Sequence, residues 1–281
     1  LSKGMVLGHE YVGEIVEFGP DTQQSLQKGD RVVSVPFLIR DGAPVPIGAN
    51  VEVDGAYAEF FLGTEALLIK VPDAVPDAAA ALVEPLGIAV HAVAKSILGS
   101  ADMPCAVIGC GPIGLAIIAV LRMRGVTKIV ASDFSPKRRE LALQMGATQV
   151  VHPREEPVFQ ALGPTAPALA FDCTGVRGVL SQIISEAPAG SQIVVAGIPQ
   201  GEDSFNPMVA IAKELNIQFV LYYTPEEFAE ALSAVASGAL DWEPLVTGTV
   251  GLEGIGAAFD ALGDPEAHAK IMIDPWSDLR L

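Results

Sequence analysis

The stretch from Cys105 to Gly114 constrains the fold of this chain more than any other part of it. The apolar run Cys105–Ile108 leads directly into glycines at positions 109, 111 and 114, and the residues from 113 to 124 have the composition of a helix. A strand, a glycine-rich turn and a helix in this order are typical of the first unit of a parallel sheet that binds a dinucleotide.

Each glycine has a separate mechanical role in such a turn. Gly109 allows the tight turn, Gly111 lets a pyrophosphate approach the helix N-terminus, and Gly114 lets the helix pack closely on the sheet. Asp133 follows Gly114 by 19 residues, at the end of the next apolar run, which places a carboxylate within reach of an adenosine ribose. The pattern predicts dinucleotide binding, and a purely structural turn is the alternative. We expect NAD to be preferred to NADP, because this carboxylate repels a 2′-phosphate.

The residues predicted to contact the cofactor lie in the turn and after the neighbouring strands. They are Gly109, Gly111, Pro112, Ile113, Gly114, Asp133, Arg138 and Thr174. Arg138 belongs to a small basic group with Lys137 and Arg139. Solvated charges at the start of a helix are one interpretation of this group, and contact with the phosphate or ribose of the adenosine is the other.

The pattern of strands and helices divides the chain into three parts. Residues 1–86 are β-rich, with apolar runs at 11–18, 31–36 and 57–62 between turn signals. From 87 to 223 strands alternate with helices, which forces parallel strands with right-handed crossovers. We therefore predict an α/β protein, with a doubly wound six-stranded parallel sheet at 87–223, a separate β-rich domain at 1–86, and a return of residues 224–281 to that domain.

The segment 216–224 is predicted to be the edge strand of the sheet. Without a partner, its apolar residues 219–223 would leave an unpaired apolar edge that is prone to association. This feature predicts a homodimer or a homotetramer.

Charge and composition exclude several classes of partner. The chain of 281 residues carries 34 acidic and 17 basic residues, a formal net charge of −17, and this field repels nucleic acid and anionic lipid. The sequence contains neither a membrane-spanning run nor a secretory signal. We therefore expect a cytoplasmic enzyme that acts on a small molecule. The cysteines at 105, 110 and 173 form no CxxC pair and are interpreted as buried thiols of a reducing compartment.

A second informative block runs from Gly8 to Gly19. Its adjacent His9 and Glu10 offer an imidazole and a carboxylate to a divalent metal. Glu84, followed by Pro85, adds a carboxylate near the carboxyl ends of the parallel strands, where a nicotinamide would lie. A chance surface pair and a helix-terminal acid facing the helix dipole are the alternatives. His91, seven residues after Glu84, is interpreted as a helix histidine and not as a further ligand.

These motifs occur in an order that resembles the medium-chain, zinc-dependent alcohol dehydrogenase family. The matching segments are 8–19, Lys28-Gly-Asp-Arg-Val32, Asp54-Gly-Ala-Tyr-Ala-Glu59, Glu84-Pro-Leu86, 109–114 and Asp172-Cys-Thr-Gly175. The Glu-Pro-Leu variant is similar to the polyol and threonine dehydrogenase branch. The resemblance implies a GroES-like catalytic domain, a Rossmann domain and a catalytic zinc in the cleft between them. It also implies that His9 binds the zinc, that Glu10 is its neighbouring acid, and that Glu84 lies on or near the metal.

The chain departs from the family pattern in two places. The family's first zinc ligand is a cysteine in an N-terminal segment, followed by a Ser or Thr that relays a proton, and this chain begins downstream of that segment. We therefore expect the polypeptide as given to be metal-poor and inactive, and its full-length parent to hold one zinc per subunit. Residues 36–59 contain none of the four cysteines that bind a structural zinc in many members, so no structural zinc is expected.

The function indicated is hydride transfer between a secondary alcohol or polyol and NAD, assisted by zinc. A zinc-free enzyme of the quinone reductase type is one alternative, although His9, Glu10 and Glu84 argue against it. A nucleotide-binding protein without catalysis is the other.

Overall fold

The computed structural model describes residues 4–20, 22–49, 51–163 and 167–280. The strands are β1 (Gly13–Glu14), β2 (Arg31–Ser34), β3 (Phe37–Arg40), β4 (Ala43–Pro46), β5 (Leu68–Lys70), β6 (Cys105–Ile108), β7 (Ile129–Ser132), β8 (Gln149–Val151), β9 (Leu169–Asp172), β10 (Gln192–Val195), β11 (Asn216–Phe219), β12 (Gly248–Val250) and β13 (Ile271–Ile273). The helices are α1 (Asp77–Ala81), α2 (Val83–Ala94), α3 (Pro112–Met123), α4 (Pro136–Gln144), α5 (Val158–Ala161), α6 (Val179–Glu186), α7 (Pro207–Ala212), α8 (Pro225–Ala236) and α9 (Ile255–Leu262).

A six-stranded parallel sheet, in the order β11-β10-β9-β6-β7-β8, organises the larger part of the molecule. β6 lies between β9 and β7, so that Cys105 is opposite both Leu169 and Ile129. The strand order reverses between β6 and β9, and open α/β sheets bind ligands in the crevice at such a reversal. The predicted fold class, a doubly wound sheet with a separate β-rich part, is confirmed.

Helices cover both faces of this sheet. Along β6, Cys105 and Val107 belong to the core cluster that also contains residues of α2, α3 and α8, whereas Ala106 belongs to a second cluster with α5 and α6. Successive residues of a strand point to opposite faces. Burial on both faces explains why these strands are continuous apolar runs in the sequence.

The first part of the chain contains less strand than predicted. Strands β1, β2 and β5 form an antiparallel sheet, and β3 pairs with β4 in a hairpin. Within the described residues, however, the run 11–18 contributes only β1, and the run 57–62 contains no strand. A run becomes a strand only where a neighbouring backbone pairs with it along its length, so these two runs mark the β-rich region without marking its strands.

The last part of the chain contacts both the six-stranded sheet region and the first part of the chain. α8 packs through Phe228 into the larger core. Further on, Phe259 of α9 meets Tyr57 edge-on, with ring centroids 6.4 Å apart, and Trp276 meets Phe60 at 5.6 Å. The domain limits at residues 86 and 223 stay predictions; residue 86 lies within α2, and residue 223 lies just before α8.

The start of α8 follows its sequence signals closely. The Thr224 side chain accepts a hydrogen bond from the backbone N–H of Glu227, whose own side chain accepts from the Thr224 backbone, and Pro225 is the first helical residue. Thr and Glu at this spacing are the sequence signature of such a reciprocal capping box. None of the helices in the described ranges is long and apolar enough to cross a membrane.

Candidate functional site

The glycine turn, residues 109–114, joins β6 to α3, and it leaves no room for a side chain at Gly109 and Gly114. Gly109 has a φ of +90°, a conformation that favours glycine. A Cβ at Gly114 would lie 1.9 Å from the carbonyl oxygen of Gly109. Gly111 caps α3, and a Cβ there would meet no atom of the described chain within 4 Å. The helix N-terminus therefore presents open backbone, which suits a phosphate group.

Asp133 lies beside this turn. Its Oδ2 accepts a hydrogen bond from the backbone N–H of Cys110 at 2.8 Å, and its Oδ1 accepts one from the backbone N–H of Ser135 at 2.8 Å. A carboxylate has about four acceptor positions, so further positions remain for the hydroxyls of a ribose. The two backbone contacts hold Asp133 in place before any ligand arrives.

The three residues of the basic group have different environments. Lys137 pairs with Glu140 on the exposed face of α4 at 3.0 Å, and Arg139 donates to the backbone oxygens of Asp133 and Phe134. Arg138 differs, because its Nε is buried and has no hydrogen-bond partner among the residues that the structure describes. Arg138 is thus the member of the group with a donor still to satisfy.

Thr174 closes the other side of the glycine turn. Its Oγ1 donates to Asp172 Oδ1 at 2.8 Å, and its backbone N–H donates to the same oxygen at 3.0 Å. Burial raises the pKa of the Asp172 carboxyl. A Cβ at Gly109 would come within 2.9 Å of Thr174 Cγ2, so the loop after β9 lies directly against the turn.

His9, Glu10 and Glu84 converge in a cleft, and we call these three residues the His–Glu cluster. One ligand atom of each lies within 4.8 Å of the others. His9 and Glu10 come from the extended segment before β1, whereas Glu84 comes from the first turn of α2. The cleft that contains His9 and Glu10 is also lined by Pro112 of the glycine turn. The structure therefore brings the three predicted metal residues together, and the cleft that His9 and Glu10 line extends to Pro112 at the start of α3.

Charge in the cluster is only partly balanced. Lys270, just before β13, forms an ion pair with Glu10. Glu84 is 7% exposed, and burial, together with the negative charge of Glu10, raises the pKa of its carboxyl to about 7. The Tyr223 hydroxyl donates to Glu84 Oε1 at 2.9 Å and, with the charge of Lys270, opposes that rise. Two carboxylates thus face one lysine.

This donor set fits a zinc ion. Zinc binds imidazole nitrogen and carboxylate oxygen, and a catalytic zinc site uses three protein ligands and leaves a further position open. One imidazole and two carboxylates within 4.8 Å of one another meet that description. A divalent cation would also offset the two causes that raise the pKa of Glu84, its burial and the negative charge of Glu10.

The other titratable groups singled out in the sequence lie outside the cluster. His91 is buried on α2, and its Nδ1 is 2.7 Å from Glu227 Oε2, so it is a packed helix histidine. Cys105 and Cys110 are buried free thiols and Cys173 is half-buried. Burial raises the pKa of Cys105 to about 12, which keeps this thiol protonated and unreactive.

Two residues of the site, Lys270 and Tyr223, were not among the predicted ones. Lys270 had no predicted role, and Tyr223 was treated only as part of an apolar sheet edge. The edge strand β11 ends at Phe219, and Tyr223 is half-buried against Glu84. The sequence did offer one signal for Lys270. It is a lone lysine before an apolar strand, in a chain that has twice as many acidic as basic residues.

Comparisons with known proteins agree with this geometry. A family model described as the alcohol dehydrogenase GroES-like domain matches residues 1–73, and one described as zinc-binding dehydrogenase matches residues 112–237. The chain is 31% identical over 283 residues to (R,R)-butanediol dehydrogenase of Bacillus subtilis, covering 96% of this chain and 81% of the relative. It is 30% identical over 287 residues to L-threonine 3-dehydrogenase of Shewanella loihica, covering 95% and 82%.

Solved structures give the same result. The crystal structure of 2R,3R-butanediol dehydrogenase from Bacillus subtilis superposes with a TM-score of 0.85 at 32% identity, covering 96% of this chain and 80% of that one. The chain belongs to the medium-chain, zinc-dependent alcohol dehydrogenase family, in its polyol and threonine dehydrogenase branch.

Proposed function

We propose that this protein oxidises a secondary alcohol or polyol, transferring a hydride to NAD at a zinc site formed with His9, Glu10 and Glu84. The observation that carries this proposal is the convergence of the three side chains within 4.8 Å, in a cleft whose lining includes Pro112 of the glycine turn. A cleft shared by His9, Glu10 and the start of α3 supports a single reaction centre for substrate and cofactor.

The roles of the chain's own residues follow from their contacts. His9 supplies a neutral imidazole, and Glu10 and Glu84 supply negative charge that balances a cation. The chemistry that a bound zinc supplies is Lewis acidity, which lowers the pKa of an alcohol. Lys270 holds Glu10 through its ion pair, which limits the rotation of that carboxylate. Burial of Glu84 keeps water away from one side of the cluster and strengthens its electrostatic interactions.

The cofactor site is proposed from the residues around the glycine turn. The set is Gly109, Gly111, Pro112, Ile113, Gly114, Asp133, Arg138 and Thr174. Open backbone at Gly111 would receive the pyrophosphate, and the remaining acceptor positions of Asp133 would receive the ribose hydroxyls. The unsatisfied Nε of Arg138 supports contact with the adenosine half. The carboxylate of Asp133 favours NAD over NADP.

The test is zinc content together with NAD reduction, measured on the purified full-length protein with a panel of secondary alcohols and polyols. One zinc per chain and alcohol-dependent NADH formation are expected. An active protein without zinc would refute the metal assignment and favour a zinc-free reductase. A protein that binds NAD but oxidises none of the panel would favour the non-catalytic alternative.

Association through the sheet edge is also part of the proposal. β11 is an edge strand; Phe219 at its end is 60% exposed, and Leu221, just after the strand, is 57% exposed. An exposed apolar sheet edge supports pairing with a second copy. Light scattering should give the mass of a homodimer or homotetramer at micromolar concentration, and a stable monomer would contradict this. The cytoplasmic location also stays a prediction.

A further inference from the structure

Tyr223 reaches the His–Glu cluster from a distant part of the chain. It lies between β11 and α8, and its hydroxyl donates to Glu84 Oε1 at 2.9 Å. Its ring packs against Phe228, with ring centroids 5.4 Å apart. A Cβ at Gly87, one turn after Glu84, would lie only 3.1 Å from the Tyr223 ring. The ring therefore lies flat against α2 at a position that only glycine leaves open.

The backbone just before Tyr223 is strained. Tyr222 has a φ of +63°, a left-handed conformation that is unfavourable for a non-glycine residue and persists only where the surroundings hold it. The Tyr222 ring is half-exposed and packs edge-on against Phe37 at 5.9 Å. The turn thus sends two consecutive tyrosines to different neighbours, Tyr222 towards β3 and Tyr223 towards α2.

A second contact fixes the same segment on α2. Glu227 accepts the backbone N–H of Thr224 in the capping box, and its Oε2 also lies 2.7 Å from His91 Nδ1. Glu84 and His91 are seven residues apart, so they lie two turns apart on one face of α2. The start of α8 is therefore bonded to α2 at two points along this face, and the position of the Tyr223 hydroxyl is set by both.

A hydrogen bond to one oxygen restricts the rotation of a glutamate carboxylate about its Cγ–Cδ bond. Partners of this kind orient the groups that ligate a metal and tune its affinity. Because Oε1 of Glu84 is held by Tyr223, the carboxylate stays in the orientation in which it approaches His9 and Glu10. This matters more because Glu84 is buried, so that solvent cannot easily supply its carboxylate with an alternative partner.

We propose that Tyr223 is a positioning residue of the metal site, which holds the Glu84 carboxylate towards His9 and Glu10 by donating a hydrogen bond to Oε1. The inference rests on the proposed zinc function. Tyr223 touches neither substrate nor cofactor in this proposal; it acts through Glu84.

Tyr223→Phe tests the proposal, because it removes one oxygen atom and keeps the ring against Gly87 and Phe228. The full-length protein would be loaded with zinc and titrated with a chromophoric chelator. We expect zinc affinity to fall by about 10-fold or more, within the range known for partners of metal ligands. The visible spectrum of the cobalt-substituted protein should shift as well, and the KM for NAD should stay unchanged.

Tyr222→Phe is the matched control. It removes the hydroxyl of the neighbouring tyrosine, which makes no hydrogen bond recorded in the described part of the chain, and should leave zinc affinity and the cobalt spectrum unchanged. In a Glu84→Gln background, Tyr223→Phe should cause no further loss of zinc affinity. An additive loss there would overturn the inference, because the tyrosine would then act on the fold in general.

The failure of this inference is distinguishable from the failure of the proposed function. If the unmodified protein binds one zinc and Tyr223→Phe binds it equally tightly, the positioning role is wrong and the zinc function stands. If the unmodified protein is active without zinc, both are wrong.

Discussion

Pro112 of the glycine turn lines the same cleft as His9 and Glu10 of the His–Glu cluster, yet the chain builds the turn and the cluster in opposite ways. The turn and its acid come from residues 109–135, and their main contacts involve backbone groups, such as the bond from the Cys110 N–H to Asp133. The cluster comes from segments far apart in the chain. Its two supporting contacts, Tyr223 to Glu84 and Lys270 to Glu10, span 139 and 260 residues.

This difference separates two kinds of functional site. In the glycine turn, shape decides what fits, because a helix N-terminus with open backbone accepts a phosphate whatever the surrounding side chains are. In the His–Glu cluster, charge decides, because two carboxylates and one lysine leave a site that a cation completes. The turn should therefore be sensitive to added volume, and the cluster to lost ligands and to pH.

The largest expected effect is at the cluster. His9→Ala removes its imidazole, and we expect kcat/KM for alcohol oxidation to fall by about 10³-fold, equivalent to about 4 kcal/mol of transition-state stabilisation. Zinc content should fall with it. His152→Ala, which removes a histidine after β8, should keep its zinc. Unchanged turnover in His9→Ala would show that the cluster does not carry the chemistry.

The same difference explains what the sequence could predict. The residues of β6, α3 and Asp133 follow one another in the chain, and the capping box of α8 needs only Thr224 and Glu227, so local pattern was sufficient. The strands in the first part could not be placed, because pairing depends on neighbours that periodicity does not show. His9, Glu10 and Glu84 were found by residue type and family resemblance. Tyr223 was missed because its role depends on a contact with a helix far away in the sequence.

The second effect is a pH dependence of stability in the zinc-free protein. The pKa of Glu84 is raised from 4.5 to about 7, so the folded protein binds this proton more tightly than the unfolded chain does. The resulting stabilisation is fully present below about pH 4.5 and is lost as the pH rises through about 7. A shift of this size corresponds to about 3 kcal/mol.

Glu84→Gln isolates this contribution. We expect the free energy of unfolding of Glu84→Gln, relative to the unmodified protein, to rise by about 3 kcal/mol between about pH 4 and pH 8 in urea titrations. Glu59→Gln, which neutralises an exposed acid of the same cleft, should show no such trend. Parallel curves for the unmodified protein and Glu84→Gln would show that folding does not raise the pKa of Glu84.

A pair of glycine substitutions tests the turn, and its expected effect on stability is smaller. Gly114→Ala places a Cβ 1.9 Å from a backbone oxygen, and overpacking of this kind should cost about 2 kcal/mol in the free energy of unfolding. Gly111→Ala adds the same methyl group where the described chain leaves open space, so stability should change by less than about 1 kcal/mol while the Kd for NAD rises. Equal loss of stability in both variants would show that Gly111 is a structural glycine and not part of a phosphate site.

The smallest effect concerns the choice between NAD and NADP. Asp133→Asn keeps an oxygen that can accept a hydrogen bond from Cys110 or Ser135 but removes the negative charge that would repel a 2′-phosphate. We expect the ratio of kcat/KM for NAD to that for NADP to fall by about 10-fold, which is about 1.4 kcal/mol. Glu140→Gln, a neutralised acid on the exposed face of α4, is the control and should leave the ratio unchanged. If the unmodified enzyme prefers NADP, Asp133 does not select the cofactor, and the Arg138 side chain, with its unsatisfied buried Nε, becomes the better explanation of the preference. Either result shows whether the turn region selects its ligand by charge as well as by shape, and so how far the contrast with the His–Glu cluster extends.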